Sequence, residues 1–312
     1  MPTAAVNDIQ IHYQQQGQGP DVVLIHGMGG NMSFWHANTT LVNLMKEFRV
    51  TVYDLRGHGY STFVRSGYTS GDLAGDLNGL MEAIGLEKAY LVGHSYGGMI
   101  ALHTAAAYPE RVSGLVLTEV SIPALTHLID LDQWPYREER KKKLMAIDPR
   151  LPAYLDGFNM YLLEYRLRNA TTDQTLPLDR FGLRKGLKRI ARRVLKLLDE
   201  TTAKKDMKDA ASLPEEMIRR VRQPTLALYG QFSPLIPVCN FLRDNLSSCI
   251  KVEVPEAGHL FPARLPEVFV RNIRDFLMAV ETGEDLQQRM EATNEELKAA
   301  LQEKEAVEEA FL

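Results

Sequence analysis

Cysteine is nearly absent: Cys239 and Cys249 are the only two in 312 residues. Two thiols cannot build a disulfide framework, and their spacing matches no metal site. There is no uninterrupted apolar run near the roughly 18 residues of a membrane helix. Residues 1–10 lack the basic start and apolar stretch of a secretory leader. A soluble protein of a reducing compartment, the cytoplasm, is therefore expected, and no membrane partner. Charge of one sign is also in short supply, since the net charge is only -4. With no recognised binding motif beside it, that balance argues against a nucleic-acid partner. What is present is ordinary: 45% hydrophobic and 24% charged residues, Gly 22 and Pro 15. Such a composition excludes collagenous, low-complexity and largely disordered chains.

The pattern along the chain divides it. Short apolar runs at Val22–Ile25, Val50–Tyr53, Ala89–Val92 and Gly114–Leu117 each end in a turn or a polar residue. Apolar throughout, they read as strands buried on both faces of a parallel sheet. Helix-length segments such as Tyr68–Ile84 and Tyr96–Tyr108 separate them. The expected fold class is α/β, a mostly parallel, doubly wound sheet. Residues 1–121 form the first part of this core. Residues 122–213 carry charge-rich helical patterns and no strand signal, as an inserted lid over the carboxyl edge of the sheet would. Residues 214–282 restore strands near Thr225–Gly230 and Ile250–Val254 and close with a helix. Residues 283–312 repeat Leu286, Thr293, Ala300 and Val307 every seven positions, with Met290, Leu297, Lys304 and Phe311 as companions. This seam suits a two-stranded coiled coil, so a homodimer through Leu286–Leu312 is expected, with the helix continuing past Leu312.

The chemistry centres on Gly93-His94-Ser95-Tyr96-Gly97, a G-x-S-x-G pattern between a buried strand and a helix. Small flanking residues let the chain bend sharply there and present the serine hydroxyl. The following helix aims its first N–H groups at charge developing nearby. In this the chain resembles the α/β-hydrolase superfamily over about Asp21–Val280. His26-Gly27-Met28-Gly29-Gly30 is similar to the family's oxyanion loop. Asp54-Leu-Arg-Gly-His-Gly59 is similar to its structural turn and is assigned no chemistry. The resemblance implies Ser95 as nucleophile and the N–H groups of Met28 and Tyr96 as oxyanion hole. It implies His259, in Gly258-His259 after the last strand, as base, because the order in this fold is serine, acid, histidine.

The acid departs from the family pattern. Relatives commonly carry Gly-x-x-Asp after the strand at 225–229; here Gly230-Gln-Phe-Ser233 puts serine in that place. A serine cannot carry the charge that orients a histidine. Either the acid has moved to Glu119, at the end of an earlier strand as in certain haloalkane dehalogenases, or the site is a weak Ser–His dyad, or the pocket only binds. Glu119 is favoured, since a carboxylate ending an apolar strand needs a reason.

Trp35, Trp134, Tyr154 and Phe158 are candidates for lining an apolar pocket, with Tyr136, Tyr161 and Tyr165 nearby. Such a pocket suits a small hydrophobic ester, thioester or lactone. Leu187, Ile190, Val194 and Leu197 mark the apolar face of a strongly basic helix, read as part of the lid. No motif implies a cofactor or metal. Two functions compete: a serine hydrolase working through an acyl-enzyme, and a sensor that passes a small apolar signal through the coiled coil to a signalling output domain.

Overall fold

The computed structural model describes residues 2–147, 164, 168 and 184–310, the side chains of 147, 184–190 and 301–310 excepted. Eight strands form one sheet: β1 Thr3–Val6, β2 Ile9–Gln16, β3 Asp21–Ile25, β4 Arg49–Tyr53, β5 Ala89–His94, β6 Val112–Thr118, β7 Thr225–Gly230 and β8 Cys249–Val254. Their spatial order is β1-β2-β4-β3-β5-β6-β7-β8. From β3 onward all neighbours are parallel, while β1 and β2 pair antiparallel and join the sheet along β4.

The strand period explains why the central runs are apolar at every position. Val23, Ile25, Leu91, Leu115, Leu117, Ala227 and Tyr229 face one core, and Val22, Leu24, Val92, Val116, Leu226 and Leu228 face the other. The register sets Leu24 beside Val92, Val92 beside Val116 and Val116 beside Leu226, an aliphatic row across the sheet. Each such side chain, removed from water, stabilises the fold by about 1.5–3 kcal/mol. The N-terminal hairpin was not expected as a pair of strands. Its longer strand, Ile-Gln-Ile-His-Tyr-Gln-Gln-Gln, loses its alternation in a polar run, Gln14–Gln16, that pairs with β4.

Between β6 and β7 the regular elements of the described residues are all helical: a 3-10 turn at Pro123–Leu128 and helices Arg137–Ile147, Arg184–Glu200, Ala203–Asp206 and Glu215–Ile218. Tyr154, Phe158, Tyr161 and Tyr165 lie outside the described residues. The basic helix Arg184–Glu200 buries Val194, Leu197 and Leu198 and exposes Arg192, Arg193 and Lys196. The block is fastened to the turn region of β4 by Thr202 N–H to Arg65 O, 2.9 Å, and Tyr68 N–H to an Asp206 carboxylate oxygen, 3.0 Å. No described helix is long and apolar enough to cross a membrane.

The tail helix begins by packing on the chain's own core. Helix Pro266–Thr282 ends at Gly283, in a left-handed conformation (φ 71°), and helix Leu286–Ala310 turns back along it. Met290 and Thr293 are buried there, and Leu286 and Leu297 pack against the same core. Asp275, itself buried, accepts a hydrogen bond from Thr293 Oγ1 at 2.9 Å and pairs with Arg271 and, at 3.2 Å, with Arg289. The first half of the heptad seam is thus covered by the chain's own helix. A heptad pattern reports that a stripe is buried, not which helix buries it.

Candidate active site

Every residue singled out for chemistry lies just beyond the carboxyl end of a strand: Met28 after β3, Ser95 after β5, Glu119 after β6 and His259 after β8. Ser95 has φ 55° and ψ -122°, and Glu119 has φ 53°. Positive φ in a residue with a full side chain is costly and persists only where the surroundings over-determine it. At Ser95 they do. Its N–H is bound by Thr118 O at 2.8 Å, and helix Tyr96–Ala107 starts immediately after it. A Cβ on Gly97 would stand 2.1 Å from Ile25 O, and one on Gly93 only 2.4 Å from Gly97 O, so strand and helix approach as closely as glycine permits. Tyr96, the first helical residue, has an N–H that the helix itself leaves unbonded. Its hydroxyl donates to Tyr68 O at 2.6 Å.

The loop carrying Met28 is shaped by two buried histidines whose partners fix their tautomers. His26 donates from Nδ1 to Gly27 O (2.8 Å) and accepts at Nε2 from Leu55 N–H (3.1 Å). His58 donates from Nδ1 to Arg56 O (2.7 Å) and accepts at Nε2 from Gly29 N–H (3.0 Å). Burial lowers the pKa of both, and that of His58 to about 3. Burial would raise the Asp54 carboxyl, but the N–H groups of Met32 and Tyr60 and the His12 ring outweigh it and hold it below its usual range. Asp54 therefore clasps the turn at Asp54–Gly59 to the loop after β3.

Glu119 is fully buried. One carboxylate oxygen accepts from Gly230 N–H at 2.6 Å. The other accepts from Ser233 Oγ at 2.7 Å and faces His259 Nδ1 at 3.4 Å. Its backbone N–H binds Leu228 O (3.3 Å), and Tyr229 brackets the next residue, its hydroxyl accepting from Val120 N–H and donating to Val120 O. The serine that stands where an aspartate was expected is therefore a donor to the Glu119 carboxylate. Nothing in the sequence signals that contact, because a hydroxyl carries no charge and its partner lies 114 residues away.

His94 is a second contributor that the sequence does not reveal. Its Nε2–H donates to His259 O at 2.9 Å, and its ring stacks on Phe34, centroids 5.2 Å apart. Burial first, then the neighbouring His259, push its pKa down to about 3, so it acts here as a neutral strut. Trp35 requires a correction. It is completely buried, edge-on to Phe34 and stacked on Phe269, in the core on the far face of the sheet. Its side of the short helix Ser33–Ala37 turns to that core, so it lines no pocket. Trp134 is half-buried beside Tyr136, which packs edge-on to Phe232 in the loop leading to Ser233.

Comparison with known proteins agrees with this architecture. Residues 20–262 match the family model for the alpha/beta hydrolase fold. The chain is 29% identical over 278 residues to a pimeloyl-[acyl-carrier protein] methyl ester esterase of Vibrio campbellii, covering 85% of this chain and 98% of that protein. An enol-lactonase of Burkholderia xenovorans superposes with a TM-score of 0.64 at 24% identity, covering 89% of this chain and 100% of the other. A thermophilic esterase of Thermogutta terrifontis does so with a TM-score of 0.62 at 25% identity, over 89% and 98%. With more than half of its length matched, the chain belongs to the alpha/beta hydrolase fold family.

Proposed function

We propose that the protein is a serine hydrolase that cleaves a small ester, thioester or lactone through an acyl-enzyme on Ser95. Hydrolase-type chemistry follows from family membership and from relatives named as esterases and hydrolases over nearly their whole length. The observation that carries the finer reading is the buried Glu119 carboxylate, held by two donors and turned to His259, with the strained Ser95 at the end of β5 on the same edge of the sheet.

In this mechanism His259 takes the Ser95 hydroxyl proton as the oxygen attacks the substrate carbonyl carbon. Glu119 fixes the imidazole's orientation and stabilises its protonated form. The N–H groups of Met28 and Tyr96 receive the oxyanion of the tetrahedral intermediate. Collapse expels the alcohol or thiol, which takes the proton from His259. Water, deprotonated by the same histidine, then releases the acid and restores Ser95.

A stopped-flow time course with p-nitrophenyl butyrate tests this. Continued turnover that disappears in Ser95→Ala is expected, and turnover that survives in that variant overturns it. The sensory alternative needs a seam open to a second chain. Met290 and Thr293 are buried and Leu286 and Leu297 packed against the chain's own core, so this part of the seam is occupied within the chain, which supports catalysis over the sensory reading.

A further inference from the structure

A hollow of about 370 Å³ opens between the loop that carries Met28 and the basic helix. Gly29 and Asn31 form one wall; Phe63, Val194 and Leu197 supply apolar surface; Arg193 and Lys196 stand at the other wall. Among the described residues no aspartate or glutamate lines it. Both cations are held in place by rings. The Arg193 guanidinium lies 5.7 Å from the Tyr60 ring centroid, and the Lys196 ammonium lies 4.4 Å from that of Phe63. Aromatic faces of this kind steady a cation without neutralising it. Two positive charges over an apolar floor, with no acid among the described lining residues, attract an anion joined to a short hydrocarbon chain.

We infer that this hollow receives the anionic end of the substrate, so that the preferred ester bears a carboxylate a few methylenes from the bond that is cleaved. The inference rests on the hydrolase reading, with the charged end pointing away from Ser95 along the loop after Met28. It refines the purely hydrophobic substrate expected from the aromatic content.

Two p-nitrophenyl esters of similar length, one of butyrate and one of glutarate with its second carboxylate uncapped, separate the alternatives. The wild-type protein should show the higher kcat/KM on the glutarate ester. The ratio of the two values should fall about tenfold in Arg193→Gln and again in Arg193→Gln/Lys196→Gln, the effect of removing one charged hydrogen-bond partner at a time. It should shrink in 0.5 M NaCl, where exposed charges are screened. Lys88→Gln, an exposed lysine before β5 at the opposite sheet edge, controls for net charge and should leave the ratio unmoved. A ratio insensitive to Arg193 and Lys196 overturns the inference even while both esters turn over through Ser95. Binding of the glutarate ester to Ser95→Ala, followed by calorimetry, reads the hollow without any chemistry. Affinity lost in the added Arg193→Gln/Lys196→Gln pair supports the anion site even if the hydrolase reading fails, and affinity unchanged refutes it.

Discussion

Glu119 and Ser233 together give the sharpest prediction. Glu119→Gln keeps the shape of the side chain and the hydrogen bond from Gly230 N–H, but removes the charge facing His259 Nδ1 at 3.4 Å. Loss of an orienting acid in Ser-His-acid enzymes costs on the order of 10⁴-fold in kcat. Ser233→Ala reaches the histidine through that carboxylate, and it also takes from Leu235 N–H its acceptor, the Ser233 hydroxyl at 3.2 Å. It removes one donor, at 2.7 Å, from the oxygen that faces the histidine. A hydrogen bond to a charged group contributes about 1.5–3 kcal/mol, equivalent to about 10- to 150-fold if expressed wholly in rate. The lower end is expected, because Gly230 N–H still holds the other oxygen at 2.6 Å and the backbone of Glu119 remains fixed.

The two effects must not add. In the Glu119→Gln background Ser233→Ala should change kcat less than about twofold, so the double-mutant cycle returns nearly the whole Ser233 effect as coupling. Ser233→Asp carries the argument further. Alone, it sets two buried carboxylates within hydrogen-bond reach, where both cannot ionise, and it should lower both stability and rate. Combined with Glu119→Gln it supplies one carboxylate beside the place the glutamate oxygen occupied, and should recover at least about 100-fold of the lost rate. Steady-state hydrolysis of p-nitrophenyl butyrate, with urea unfolding of each variant in parallel, reads the wild type and all five variants. Activity of Glu119→Gln within about tenfold of wild type, or additive losses, would refute the assignment of Glu119 as the acid.

Other consequences concern the scaffold. His58 and His94 have pKa values pushed down to about 3, against about 6.5 in an unfolded chain, so between those values the unfolded state binds more protons and stability falls as pH falls. Each should cost about 2 kcal/mol between pH 7 and pH 5. Urea unfolding of His58→Gln should therefore vary less with pH over that range, by about that amount, whatever its stability at pH 7. Ending the chain at Gly283 removes Arg289 and Thr293 from the buried Asp275 and uncovers the site of Met290. A loss of about 3–5 kcal/mol is expected from the weakened ion cluster, and Asp275→Asn in the shortened chain should restore part of it. A shortened protein as stable as the whole would show that helix Leu286–Ala310 adds nothing to the fold. Gly97→Ala, whose new methyl group meets Ile25 O at 2.1 Å, should yield little folded protein in expression and circular-dichroism assays.

The central strands were legible because a sheet covered on both faces needs apolar residues at every position, and the sequence provides them at β3 to β7. Ser95 was legible for a related reason: the glycines around it record how closely helix and strand approach. What escaped were contacts made by residues whose chemistry carries no long-range mark. Trp35 stands close to the Met28 loop in sequence, yet a one-turn helix chooses between two faces of a sheet, and nothing local fixes that choice. The basic helix was recognisable as amphipathic. That its cations would be steadied over Tyr60 and Phe63, residues more than 130 positions earlier, was not.

The position proposed for the acid shows why residue order misleads where topology does not. Glu119 and Ser233 are 114 residues apart because the whole helical block lies between β6 and β7. Yet these strands are parallel neighbours, with Thr118 directly beside Leu228, so both loops leave the same edge side by side. A carboxylate that moves from one loop to the other crosses a hydrogen bond's length in space, and the vacated position keeps a hydroxyl that the displaced oxygen can accept from. The longer reach of glutamate and the positive φ at residue 119 belong to the same adjustment: the acid starts one strand farther from the β8 loop that carries His259. On this view Ser233 is a positioning residue: buried, it holds the carboxylate oxygen that faces His259.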